Sequence, residues 1–234
     1  EMMKKLGSFL SSGGILVTTI ASPLGSVING VRRILSWDFT KNITSIESQT
    51  KLLLEAFSSH LDTIEDMSRL YEDWAQDTLI NPGFLTMCPT PNMFVEDIGN
   101  DFEIYNSLPQ FNSDWRWYKT LYGDKKSFNN TFLTAYNRNI HNFFDYNECF
   151  SEIDGDLGSR LEKESLKFIS CISEKENNKD TVLARQLTNS IQKIISLITE
   201  VDNNCWSKAF QELMKCLNSK IISPKDIANM PHFS

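Results

Sequence analysis

The feature that most constrains this chain is a stretch of 26 residues, Leu6 to Val31, in which no Asp, Glu, Lys, Arg or His occurs. Such a run leaves water only if something covers it, so the rest of the chain is read for what could do so. Its apolar residues Leu16, Ile20, Leu24, Val27, Val31 and Ile34 step by four and three, the spacing of one stripe on an α-helix. The opposite side carries Gly, Ser, Thr and Asn, small enough for a neighbouring backbone to come close. Ser22-Pro23 has the form of a cap and first helical position. The spacing therefore predicts a break there and a second helix from Pro23 to about Trp37.

Three readings of the segment follow. In the first it is a core helix pair wrapped by the later helices. In the second it is membrane-active, with Leu16, Ile20, Leu24 and Val27 as the lipid-facing candidates, since its length suits a bilayer core of about 30 Å. In the third it is a targeting sequence, with Lys4-Lys5 as the basic region and small residues near Ala21.

The acidic remainder narrows the function classes. A net charge of −7 argues against a nucleic-acid partner, because phosphate binding needs a basic surface. The doublets Arg32-Arg33 and Lys125-Lys126 are too small to reverse that. No phosphate loop, dinucleotide fingerprint, His-Glu-x-x-His or nucleophile-elbow motif is present, so no catalytic residue, cofactor or metal ligand is assigned and an enzyme is not expected. Asp154-Gly155-Asp156-Leu157-Gly158 lacks the third oxygen ligand and distal Glu of a calcium hand and reads as a helix start.

Periodicity then gives the helices. From Thr44 to Ile80 the positions Ile43, Ile46, Thr50, Leu53, Phe57, His60, Ile64, Met67, Tyr71 and Trp74 form a seam of three- and four-residue steps. It predicts one helix of about 55 Å, opened by a Thr44/Glu47 capping box and stopped by Asn81-Pro82-Gly83. His60 on that seam, with no His or Cys at helical spacing, reads as a core histidine, and His141 and His232 are as isolated. Residues 81–113 read as an irregular connection with a short helix around Asn92 to Asn106. Fourteen of the 26 aromatics then crowd into Phe102 to Phe150. Most suit a core, while Trp115, Trp117, Tyr118 and Tyr122 are the candidate partner- or ligand-binding residues.

The C-terminal third reads as a hairpin. Asp156 to Ser173 turns Leu157, Leu161, Phe168, Ile169 and Ile172 inward. After the charged turn Glu174 to Lys179, Asp180 to about Val201 returns with Leu183, Leu187, Ile191, Ile194, Ile198 and Val201. A bend belongs at Asp202-Asn203-Asn204, where the apolar register slips by one. Of five cysteines none forms a Cys-x-x-Cys pair, and Cys149, Cys171, Cys205 and Cys216 read as a disulfide set. Counting outward from the hairpin turn levels Cys149 with Cys205. Cys216 is then left to pair with Cys171 or Cys88. Asn42 and Asn129 head glycosylation sequons.

The expectation is thus an all-α, elongated multi-helix bundle with a long central helix, an irregular aromatic-rich middle and a disulfide-stapled C-terminal hairpin. Residues 1–80, 81–113 and 114–234 would pack as one domain. The expected function is that of a secreted, glycosylated, non-enzymatic binding protein engaging a protein partner or an apolar or lipid ligand. The alternative is a membrane-active, pore-forming-like protein using its uncharged segment.

Overall fold

The computed structural model describes residues 2–85, 89–99, 101–111, 127–144, 149–177, 181–201, 208, 211–212, 214–215 and 223–230. Among these residues the chain is mostly helical and has no strand, as the periodicity requires. The helices are α1 (Met2–Gly7), α2 (Pro23–Thr40), α3 (Ile46–Leu61), α4 (Tyr71–Ala75), α5 (Pro91–Ile98), α6 (Phe128–Asn139), α7 (Gly155–Asn177), α8 (Thr181–Thr199) and α9 (Pro224–Ala228).

The centre is α2. It begins at Pro23 behind an extended Ser22 and closes with the Lys41 N–H donating to the Trp37 carbonyl at 2.9 Å. Leu24, Val27, Val31 and Leu35 are all at most 1% exposed. Each stabilises the fold by about 1.5–3 kcal/mol relative to an exposed position. The small side of the helix is covered too. A Cβ added at Gly30 would lie 2.6 Å from Ile172 Cδ1 and 2.8 Å from Phe168 Cε1, so the side chains of α7 pack directly on α2 at this glycine.

Against α2 stands the predicted hairpin. Leu161, Phe168, Ile169 and Ile172 of α7 and Leu187, Ile191, Ile194 and Ile198 of α8 are buried, as the two seams require. Asp154 Oδ1 accepts from the Asp156 N–H at 2.8 Å, and the Asp154 carbonyl from the Gly158 N–H at 3.1 Å. That acidic triplet is the start of α7. A Cβ at Gly158 would lie 1.7 Å from the Asn137 carbonyl, so α6 also crosses α7 over a glycine. The bend expected at Asp202 lies outside the described residues.

The long central helix is not formed. α3 is capped by Ser45, whose hydroxyl accepts from the Ser48 N–H, and ends at Leu61. Its chain then turns through residues 62–70, with Asp66 in the left-handed region at φ 55°. The reason is local polar competition for the backbone. Thr63 Oγ1 donates to the His60 carbonyl at 2.7 Å, and across the turn, where α4 packs back on α3, Tyr71 Oη donates to Asp62 Oδ1 at 2.8 Å. Of the seam, Thr50, Leu53 and Phe57 are buried core positions while Ile46 is 55% exposed, and the two helices share the seam where Phe57 and Trp74 meet edge to face at 6.3 Å. α4 runs into a π-helical turn, Gln76–Ile80, and stops at Asn81 as expected. α9 packs on α3 and opens with a Ser223/Asp226 capping box.

The uncharged segment is also divided. Its first half is not a helix beyond α1: residues 8–14 form turns, and the chain then runs without regular structure to Ser22. The core helix pair is therefore a single core helix and a loop. The short helix of the 81–113 connection is shorter than expected, Pro91–Ile98, with the Thr90 hydroxyl accepting from the Met93 N–H.

Candidate functional site

The loop Ser8–Ser22 joins two fixed points. At one end α1 packs on α5, and Phe102 lies over Gly7 so closely that a Cβ there would meet its Cζ at 2.1 Å. Phe102 is itself held from below. Asn129 of α6 donates Nδ2–H to the Phe102 carbonyl at 3.0 Å and accepts the Ile104 N–H on Oδ1 at 2.8 Å. At the other end the loop runs into α2, where Pro23 and Leu24 are buried.

Between the anchors the loop is bare. Phe9 is 77% exposed, Ile15 70%, Leu16 37% and Val17 89%, and Ile20 is half-buried. Other large apolar groups are exposed singly, at Tyr105 and Leu108 for example, which is ordinary for a surface. Here Ile15, Leu16 and Val17 follow one another on a loop that carries no charge, the kind of surface that marks contact with another body. Of the four residues proposed to face lipid, Leu16 and Ile20 lie on this loop, whereas Leu24 and Val27 are in the core. Phe9, Ile15 and Val17 were not singled out by sequence, because helical spacing selects Leu16 and Ile20 and passes over their neighbours.

Beneath the loop's second anchor α2 carries two buried arginines, neither expected to be inside. Arg33 Nη1 donates to the Thr78 carbonyl at 3.1 Å and to the Asn81 carbonyl at 2.8 Å, closing the end of the π-helical turn. Arg32 Nη1 donates to Asn29 Oδ1 at 3.1 Å, and Nη2 lies 2.8 Å from His60 Nε2. The guanidinium also sits 5.9 Å from the centre of the Trp74 ring. Since guanidinium only donates, His60 must offer a lone pair and be neutral. Burial first, and the Arg32 charge second, bring the His60 pKa down from 6.5 to about 4. His60 is half-buried and its ring is held by Arg32, a structural role in place of the fully buried core histidine that its isolation suggests.

A second polar knot ties three helices together. Glu162 of α7 is buried and accepts from Tyr136 Oη at 3.2 Å and from Asn92 Nδ2 at 2.5 Å. The Asn92 amide also lies 3.3 Å from Asn137 Oδ1. His141 is fully buried against the Phe150 ring, and that burial lowers its pKa, while the Ser151 and Phe150 backbones beside it push the other way. Among the described residues no group of three or more His, Cys, Asp or Glu could hold a metal ion.

The aromatic region packs as core around Phe111, Phe132, Tyr136 and Phe143, whereas Tyr105 stays in solvent. Phe111 packs edge to face on Phe132 at 5.6 Å and on Tyr136 at 5.9 Å, and lies 6.2 Å from Phe143. The four residues proposed to bind a partner, Trp115, Trp117, Tyr118 and Tyr122, lie outside the described residues.

The other proposed sites divide in the same way. Cys149 is exposed, Cys171 is half-buried and both thiols are free, while Cys88, Cys205 and Cys216 lie outside the described residues. Burial pushes the Cys171 thiol up, Glu174 adding to it and Ser190 of α8 opposing, which leaves it a poor nucleophile at neutral pH. Asn42 is exposed and free to carry a glycan. Asn129 is not: its amide nitrogen, the atom a glycan would take, is buried and committed to the Phe102 carbonyl. The second sequon is a structural asparagine.

Among the described residues no helix is long and apolar enough to cross a membrane. Neither a scan against protein-family models nor searches of curated proteins and of solved structures find a match to this chain.

Proposed function

We propose that this protein works by binding, outside the cell and without catalysis, and that the loop Ser8–Ser22 is its contact surface for an apolar partner or ligand. The observation that carries the reading is the bare run Phe9, Ile15, Leu16 and Val17 in a stretch without charge, beside a helix that buries Leu24, Val27, Val31 and Leu35. Support for binding over catalysis comes from two polar clusters of the interior whose members are committed to one another: His60 to Arg32, and Glu162 to Tyr136 and Asn92. Placement outside the cell rests on the exposed Asn42 sequon, since the two described cysteines, Cys149 and Cys171, are free thiols and do not form the expected disulfides.

The membrane-active alternative draws on the same loop and takes a narrower form. Inserting the whole segment would pull Leu24, Val27 and Val31 out of the core at about 1.5–3 kcal/mol each, so lipid would meet the loop alone, at the surface. Flotation of the full chain with phosphatidylcholine vesicles, with and without phosphatidylserine, tests this, and native mass spectrometry of the purified chain tests for a retained apolar ligand. The reading expects binding in one of these assays, lost in the double variant Ile15→Ser, Val17→Ser. No flotation, no retained ligand and no self-association would overturn it.

A further inference from the structure

The histidine beside Phe150 is buried without a partner. His141 is 0% exposed, and neither Nδ1 nor Nε2 meets a hydrogen-bond donor or acceptor. A neutral imidazole carries one N–H and one lone pair, so both are left unmet under cover. The ring belongs to the 3-10 turn Ile140–Phe143, which continues α6. Over it lies residues 150–154, a segment without regular structure that leads into α7. The Phe150 ring is centred 6.4 Å from the imidazole, and Phe150 and Ile153 pack on the core while Ser151 and Glu152 face solvent. The segment is pinned to the same turn and to the end of α6. Asn142 brackets Phe150, accepting its N–H on Oδ1 at 2.7 Å and donating Nδ2–H to its carbonyl at 3.2 Å. The Ile153 N–H donates to the Arg138 carbonyl at 2.9 Å. One turn therefore carries both the pin and, beside it, a titratable ring that the pinned segment covers.

We infer that residues 150–154 form an acid-released strap: when His141 takes up a proton, the strap lifts from the end of α6 and opens the imidazole, Phe150 and Ile153 to water. The proton adds a second N–H and a whole charge to a ring whose first N–H is already unmet. The Ser151 and Phe150 backbones beside the ring favour the charge, but burial outweighs them. Lifting the strap gives both N–H groups to water, so opening takes up the proton and acid drives opening. As the pH falls below the ordinary histidine value of 6.5, the open form is protonated first and its share grows until the closed form is protonated too. Above 6.5 the strap stays down.

The charged groups around the turn are already engaged or distant. On the strap, Glu152 faces Arg138 of α6 at 3.7 Å in solvent, and Asp154 accepts the Asp156 N–H at 2.8 Å. α7, which packs on the turn, brings Asp156, Arg160 paired with Glu200 at 3.5 Å, and Glu162 bonded to Tyr136 and Asn92. α2 also packs on the turn and has no charged residue before Arg32. Asp145 and Glu148 lie outside the described residues.

Amide hydrogen exchange of the full chain, corrected for intrinsic rates, reads the strap directly, because the Phe150 and Ile153 N–H groups are bonded while it is down. As the pH is lowered from 6.5, their protection should fall by as much as about tenfold per pH unit for one proton. It should stay well below that of the α8 amides, which open only with the whole fold. The fall should vanish in His141→Leu and persist in His60→Gln. Strap protection that is unchanged by acid, that equals the α8 amides' at every pH, or that falls as much in His141→Leu overturns the strap. The last outcome would place the acid response on the carboxylates around it. Should His141→Leu fail to fold, the imidazole signals of the parent decide. A His141 ring that takes up its proton in step with the loss of strap protection supports the inference. One that titrates at 6.5 like free histidine while Phe150 and Ile153 stay protected overturns it.

Discussion

Ser8–Ser22 and Pro23–Thr40 are adjacent and similar in composition up to Val31, yet one is an exposed loop and the other the most buried helix of the fold. Lack of charge therefore did not decide burial. Backbone preference and a partner surface did. In the second half, Pro23 fixes a helical start, and the stripe Leu24, Val27, Val31 and Leu35 meets α7 over Gly30. In the first half the four- and three-residue spacing runs on through Leu16 and Ile20. Between those positions, however, lie Val17, Thr18 and Thr19, preceded by Gly13-Gly14, all of which lower helix propensity or favour extended chain.

The sharpest way to break this contrast is to remove one core side chain from the helical half. Leu24 is fully buried, so Leu24→Ala deletes its contacts and leaves a cavity that its neighbours close only in part. A loss of about 2–5 kcal/mol is expected. Urea unfolding followed by circular dichroism measures it as a fall in midpoint at unchanged slope. A loss under about 1 kcal/mol would mean that α2 is not the centre of the core.

A smaller effect tests how α2 is held from its polar side. His60 has a folded pKa of about 4 against 6.5 for the free side chain. As the pH falls from 6.5, the unfolded chain takes up the proton first, so folding stability is lost progressively down to about pH 4 and is fully present above 6.5. With the ring's partial exposure discounted, the loss is on the order of 1–2 kcal/mol. His60→Gln keeps an acceptor for Arg32 and removes the titration, and it should flatten the stability curve between pH 6.5 and 4. An unchanged slope would place the acid sensitivity elsewhere, His141 being the next group whose folded pKa is lowered by burial.

The parts of the fold legible in the sequence are those where a period ran between firm signals. The α7–α8 hairpin has two seams without a slip, and α2 has Ser22-Pro23 at its head. The 44–80 seam was equally regular, and its inward residues are correct at Leu53, Phe57 and Trp74. The break was hidden because a helix that doubles back on itself can keep one apolar face across the turn, and because the Thr63 hydroxyl takes the His60 carbonyl and Tyr71 bonds Asp62 across the turn, side-chain hydrogen bonds that hydrophobic periodicity does not register. Arg32 and Arg33 were legible only as surface charge, since their burial depends on the carbonyls of Thr78 and Asn81 and on His60, which come from elsewhere in the chain. Asn129 reads as a sequon in sequence, and only Phe102 and Ile104 make it a brace. The bare loop was visible as an uncharged run, but which half of that run is covered is a property of packing.

The smallest stability effect falls on the loop. Val17 is 89% exposed and its residue makes no hydrogen bond among the described residues, so the folded monomer gains almost nothing from its side chain. Val17→Ser should move the unfolding free energy by no more than about 0.5 kcal/mol in dilute solution. It should nevertheless weaken every association that the loop supports, because a buried valine at a contact is worth about 1.5–3 kcal/mol relative to one left in water. Leu24→Ala should do the reverse, lowering stability while leaving association by the folded fraction intact. The pair of variants thus separates what each half of the uncharged segment is for. If Val17→Ser instead cost as much stability as Leu24→Ala, measured at a concentration where the chain is monomeric, the loop would be packed in solution, and the difference between the two halves would be one of backbone form alone.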